Sequence, residues 1–142
     1  MKTLNNKPMP MTSALILYAH GSRNAAWRKP FERVLRSVKK RSGRHAVLAF
    51  GEFMQPTLLE ATRQLAAQGV THAVIVPLFL GGGAHVRGDI PRDASAAAEA
   101  TGIKLKVAKA IGESNAVLDA IALYCVSQGV KQTTRQKTRT KK

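Results

Sequence analysis

The four histidines are the residues of this chain best suited to acid–base and metal chemistry, and their positions split them into two pairs. His20 follows the apolar run Ala14–Ala19 and opens His20-Gly21-Ser22-Arg23. His85 follows the run from Ala73 to Leu80 and lies in Gly81-Gly82-Gly83-Ala84-His85-Val86-Arg87. Each is predicted to stand just beyond the carboxyl end of a buried strand, the edge at which open α/β sheets bind ligands. His45 and His72 instead precede apolar runs, which places them at the opposite edge. Two imidazoles from adjacent loops form part of an open site for a borderline transition metal, whereas a closed structural site uses four ligands.

The neighbours of the first pair add to that chemistry. Glu52, in Phe50-Gly51-Glu52-Phe53-Met54, falls just past the second apolar run and is the nearest carboxylate partner; otherwise it is a surface acid ahead of a helix. Gly81, Gly82 and Gly83 give backbone freedom and let N–H groups approach a flat or anionic ligand closely. They do not form a phosphate loop, because no Gly-Lys-Ser/Thr follows and no Gly-x-Gly-x-x-Gly opens a helix. Arg23 and Arg87 stand close to the two histidines and are placed to clamp carboxylates bidentately. Asp89 either pairs with one of these arginines or caps a helix at Pro91, and the cap is the preferred reading. Ser22 lacks a nucleophile elbow and suits a helix cap better.

Alternating elements must hold these residues. Strands are expected at Ala14–Ala19, Ala46–Phe50, Ala73–Pro77 and Leu105–Ile111. The first helix carries Trp27, Phe31, Val34, Leu35 and Val38 on its apolar stripe, begins regularly near Pro30 after a separate first turn, and stops at Ser42-Gly43. Further helices are expected from Pro56 to Gly69, from Pro91 to Thr101 and from Ser114 to Ser127. The β-α-β-α-β-α-β-α order predicts an α/β fold: a single-domain, four-stranded parallel sheet with helices on both faces and strand order 2-1-3-4. In that order strands one and three are neighbours, and His20 and His85 face each other over one crevice. Residues 1–13 are read as a flexible N-terminus, 14–127 as the α/β domain and 128–142 as a disordered basic tail.

Composition narrows the partners. With 142 residues and 44% hydrophobic content, the chain can bury one ordinary core. No apolar stretch approaches the roughly 18 residues that span a bilayer, so no membrane role is expected. The apolar run after Ser13 is too short for a signal-peptide core. The lone Cys125 is expected to be a buried small hydrophobe, and a reducing cytoplasm fits best. The net charge of +15 is concentrated in the tail and in the first helix with its exit, where Arg28, Lys29, Arg33, Arg36, Lys39, Lys40, Arg41 and Arg44 face only Glu32. Such a field attracts polyanions, or a small molecule rich in carboxylates.

At these residues the sequence resembles the small form of the sirohydrochlorin chelatases, the class II enzymes that insert Co(II), or in relatives Fe(II) or Ni(II), into a tetrapyrrole. The resemblance covers about residues 14 to 126. It rests on Ala19-His20-Gly21-Ser22-Arg23, on Trp27 with Pro30-Phe31-Glu32, and on Phe50, Glu52 and Pro56. The longest part is Pro77-Leu78-Phe79-Leu80 running into Gly83-Ala84-His85-Val86-Arg87 and Asp89-Ile90-Pro91. The resemblance implies that His20 is the proton acceptor and a metal ligand and that His85 is the second ligand. It also implies that Glu52 contacts substrate or metal, and that the loop from Leu80 through Gly81, Gly82, Gly83 and Ala84 to His85 contacts substrate. The implied partners are sirohydrochlorin and a divalent metal as co-substrate, with no organic cofactor. The chain has about half the length of the two-lobed chelatases, so a homodimer is expected to supply the second lobe.

Three other classes compete. A noncatalytic metal or tetrapyrrole carrier on the same fold would bind without turnover. A histidine-dependent phosphoryl-transfer enzyme would want an Arg-His-Gly order and more arginines in the turn. A nucleic-acid module would want aromatics beside the basic patch, but Trp27 and Phe31 are expected on the core side of the basic helix, so nucleic acid is not the expected partner.

Overall fold

The computed structural model describes residues 13–81 and 84–139, with the side chains of residues 84–87 and 130–139 outside the description. The elements run β1 (Ser13–Ala19), a 3-10 turn (Ala25–Arg28), α1 (Lys29–Ser42), β2 (His45–Phe50), α2 (Leu58–Ala67), β3 (His72–Pro77), α3 (Ala84–Thr101), β4 (Lys104–Val107), a second 3-10 turn (Ile111–Glu113) and α4 (Asn115–Arg139). All strand pairs are parallel, in the order β2-β1-β3-β4, so β1 and β3 are neighbours as expected.

Residue type accounts for the element ends. Asn24 caps the first 3-10 turn by accepting from the Ala26 amide, and Pro30 sits in the first turn of α1, where a missing N–H is harmless. Gly43 ends α1 in the left-handed conformation, at φ 62°. α2 opens with a capping box in which the Thr57 hydroxyl accepts from the Glu60 amide and the Glu60 carboxylate accepts from the Thr57 amide.

The pleat sends alternate residues of β1 to opposite faces. Ala14, Ile16 and Tyr18 join Ala73 and Ile75 under α2 and α3, where Leu58, Ala61, Leu65, Ile90, Ala94 and Ala97 complete the larger core. Leu17 and Ala19 join Leu48 and Phe50 under α1, against Phe31, Leu35 and Val38.

Four expectations need correction. α3 begins at Ala84, not Pro91, so His85 belongs to its first turn instead of a loop, and Pro91 lies inside the helix. Proline there forfeits one ladder bond, but Ile90 and Ala94 on either side are buried in the core and hold both halves of the helix to the sheet. β4 ends at Val107, short of Ile111. Its one sheet neighbour among the described residues, β3, ends at Pro77, and the last link between them runs from the Ala108 amide to the Ile75 carbonyl at 2.9 Å. The helical backbone of α4 continues to Arg139, past Ser127, where the helix was expected to end. Lys, Arg and Gln, frequent in that stretch, are adequate helix formers by propensity. Finally, Cys125 is exposed, not buried. α4 meets chiefly the Ile111–Glu113 turn, leaving Leu118, Ile121, Leu123, Tyr124 and Val126 open to solvent.

Candidate active site

His20 leaves the end of β1 on the α2/α3 side of the sheet and packs its ring on Phe79, with centroids 4.1 Å apart and a 41° tilt. Phe79 is itself buried and meets Tyr18 edge-on at 5.9 Å. Behind the histidine, the Trp27 indole N–H donates to the His20 carbonyl at 2.7 Å. Trp27 is 44% exposed, so it is less a core residue than the sequence suggested, and this hydrogen bond gives its polar edge a role.

The β1 and β2 exits lie against each other. The Gly51 amide donates to the Ala19 carbonyl at 3.0 Å, and the Phe50 amide to the Pro56 carbonyl at 2.9 Å. Gly21 touches the Glu52 backbone so closely that a Cβ at position 21 would overlap the Glu52 carbonyl oxygen. Gly51 lies beneath the Tyr18 hydroxyl, where a Cβ would come within 2.7 Å of the oxygen. Glycine at 21 and 51 is therefore what brings His20 and Glu52 to one place. Arg28 braces the same loop, donating to the Gln55 carbonyl at 3.1 Å and pairing with Glu32 at 3.1 Å.

These residues open on a cavity of about 470 Å³ lined by Tyr18, His20, Glu52, Phe79, Asp89 and Asp93 among others. The extension of α3 puts Asp89 and Asp93, one helical turn apart, on its cavity side. Asp89 accepts from Arg92 at 2.9 Å and is not a helix cap, which corrects the preferred reading of that residue. Burial raises the Tyr18 pKa, and the charges of Asp93, Asp89 and Glu52 raise it further. The phenol therefore keeps its proton at neutral pH and can donate but not act as a base.

Of the predicted site residues, His20 and Glu52 share this cavity. Arg23 is not among the residues lining it and lines a separate depression, its guanidinium over the Phe53 ring at 4.9 Å. Leu80 is 60% exposed at the same edge, and Gly81 follows it. Gly82 and Gly83 lie outside the described residues, as do the side chains of Ala84, His85 and Arg87. Among the described residues no group of three or more His, Cys, Asp or Glu side chains is arranged to hold a metal ion. Sequence reasoning missed Tyr18, Phe79 and Asp93. The i, i+4 spacing of Asp89 and Asp93 would have been the signal, had Pro91 not been taken as a helix start.

His45 and His72 are the first residues of β2 and β3, at the far edge of the sheet. A ring nitrogen of His72 lies 2.8 Å from the Thr71 hydroxyl, and His45 lines a separate cavity with Lys39 and Arg44. Neither approaches the His20 cavity, as their sequence positions required.

Comparisons with known proteins point to one family. The chain is 36% identical over 80 residues to the sirohydrochlorin cobaltochelatase of Methanopyrus kandleri, a match spanning 56% of each chain. It is 28% identical over 125 residues to that of Sulfurisphaera tokodaii, covering 88% of this chain and 97% of the other. Among solved structures it resembles a protein described as CbiX of cobalamin (vitamin B12) biosynthesis from Marinobacter aquaeolei, with TM-score 0.76, 30% identity, and coverage of 84% and 98%. It also resembles the sirohydrochlorin chelatase SirB of Bacillus subtilis in complex with cobalt, with TM-score 0.71, 27% identity and 81% of this chain covered, but only 50% of SirB. The family model described as CbiX matches residues 14–124, and the chain belongs to the CbiX family.

Proposed function

We propose that this protein inserts a divalent metal, Co(II) foremost and Fe(II) or Ni(II) as alternatives, into sirohydrochlorin, in cobalamin or siroheme biosynthesis. The observation that carries the reading is the cavity at the carboxyl edge, which His20 lines together with Glu52, Asp89 and Asp93. In the reaction two pyrrole N–H bonds break, four metal–nitrogen contacts form and two protons leave. A negative field favours both the incoming cation and the departing protons. His20 serves as proton acceptor and metal ligand, with His85 as the second ligand. Since one nitrogen cannot do both at once, His20 acts in sequence or through water. Tyr18, held protonated, is excluded as the base and is suited to hydrogen-bond a carboxylate nearby. Glu52 meets metal or substrate. Arg23, Arg87 and the 80–84 segment meet the periphery of the macrocycle, which is flat and rich in carboxylates.

The working unit is proposed to be a homodimer, since one lobe leaves a flat ligand open on one side. α4 supplies a surface for pairing: between Ala116 and Val126 its sole charged residue is Asp119, yet Leu123 and Tyr124 are 72% and 66% exposed. A helix apolar on every side is one that is covered in its working state. Two-fold closure is the default for small homo-oligomers. No helix among the described residues is long and apolar enough to cross a membrane. The proposed location is the cytoplasm, and no organic cofactor is invoked.

The test is the absorbance of sirohydrochlorin on adding Co(II) and protein. Catalytic turnover, many equivalents metallated per chain above the uncatalysed rate, is expected. Stoichiometric binding without turnover would make the protein a carrier, and no spectral change would end the reading.

A further inference from the structure

Phe53 stands in a position that neither folding nor solvation favours. Its backbone is in the left-handed region, at φ 61°, and it is the only described residue other than glycine with positive φ. A bulky side chain there is a conformational outlier, of the kind that persists where the surroundings impose it and that clusters at ligand sites. Its ring is also 60% exposed, so core burial does not compensate. The surroundings that impose it are visible. The Met54 amide donates to the Glu52 carbonyl at 2.7 Å, and that carbonyl is pinned against Gly21. Arg23, from the turn after His20, lays its guanidinium over the ring at 4.9 Å and makes no ion pair among the described residues. The ring and guanidinium line a depression shared with Ser22 and Met54, and Glu52, the residue before Phe53, lines the His20 cavity.

We propose that Phe53 is a substrate-positioning residue that stacks against the tetrapyrrole macrocycle while Arg23 binds a peripheral carboxylate. This rests on the chelatase reading above and adds to it a specific recognition element outside the His20 cavity. An aromatic face suits a flat conjugated ring. A guanidinium already held over that face has its donor edge placed where carboxylates project from such a ring. The phenyl ring cannot ligate metal, so its contribution falls on the macrocycle and not on the cation.

Trp27, the single tryptophan, donates to the His20 carbonyl and provides a fluorescence reporter at the site. Titrating metal-free sirohydrochlorin against the full chain through Trp27 quenching reads binding directly, and steady-state rates read the two KM values separately. Phe53→Ala and Phe53→Gly should each raise the sirohydrochlorin Kd and KM by about tenfold, leave the Co(II) KM within about twofold, and be rescued by Phe53→Tyr. Phe53→Gly should also melt at or above the parent temperature, since glycine accepts this φ without strain; weaker binding in that variant is then not misfolding. If parent sirohydrochlorin binding is clear and both variants bind within twofold of it, the stacking role is wrong and the chelatase reading stands. If the parent itself neither binds nor metallates sirohydrochlorin, both fall together.

Discussion

The two edges of the sheet each carry a histidine in a cavity, and the comparison shows what separates a reaction site from a hollow. The amino-edge cavity is the larger, about 560 Å³, and brings His45 together with Lys39 and Arg44. The carboxyl-edge cavity is about 470 Å³ and brings His20 together with Glu52, Asp89 and Asp93. Size alone would choose the first. Donor chemistry chooses the second: it sets three carboxylates against one arginine, Arg92, which is paired with Asp89, whereas the first has Lys39 and Arg44 and no acid among its lining residues, and a divalent cation is repelled by such positive charge. Parallel topology explains the division: every strand exit lies on one edge, and the loops that leave it are those free to differ without disturbing the sheet.

The histidine set is the way to break this comparison with the largest effect. His20→Ala or His85→Ala should abolish or strongly reduce Co(II)-dependent metallation. His45→Ala and His72→Ala, a strand length of roughly 17–20 Å away, should stay within a few-fold of the parent. The double variant lacking His20 and His85 should lose little more than the worse single one, since residues acting as a unit are not additive. Near-parent rates for both His20→Ala and His85→Ala would remove the site.

A smaller effect is expected at α4, the second region of exposed apolar surface. Leu123→Glu with Tyr124→Glu should convert a dimer to a monomer in light scattering while the single-chain fold survives, because both side chains are open to solvent within one chain. A parent that already scatters as a monomer with full activity would remove the dimer.

The smallest effect concerns Tyr18. Its folded pKa is raised by burial and by Asp93, Asp89 and Glu52, so folded and unfolded chains hold the proton equally below about pH 10. Above that the unfolded chain releases it first, and stability falls as pH climbs toward the folded value, by at most about 1.4 kcal/mol per unit. Tyr18→Phe should flatten that alkaline fall in a denaturation series without shifting the curve's neutral arm. An unchanged alkaline arm would show that neither burial nor the carboxylates raise the Tyr18 pKa in solution.

Much of the arrangement could be read before any coordinates. Apolar runs of strand length, separated by helical stripes, specify a parallel sheet, and right-handed crossovers then leave few strand orders to choose from. The histidine pairs sort by which end of a run they occupy, a property local to the chain. The end of the first helix was legible for the same reason: Gly43 acts on neighbours a few residues away. The misreadings arose where tertiary contacts overrode a local signal. Pro91 is a helix start by propensity, and only the burial of Ile90 against the sheet lets the helix run through it. Cys125 lies on an apolar stripe, and only the course of α4 away from the sheet leaves it exposed.

The sequence by itself determined the α/β class, the strand order and the edge at which His20 and Glu52 emerge, because periodicity and connection handedness act along the chain. Tertiary structure alone decided that Gly21 and Gly51 let the two exits touch, that Tyr18 and Phe79 floor the cavity, that Asp93 joins Asp89 there, and that Phe53 is held exposed beneath Arg23. Those are contacts between residues far apart in the chain, and their steric and Coulombic consequences exist only once folding has brought them within a few ångströms.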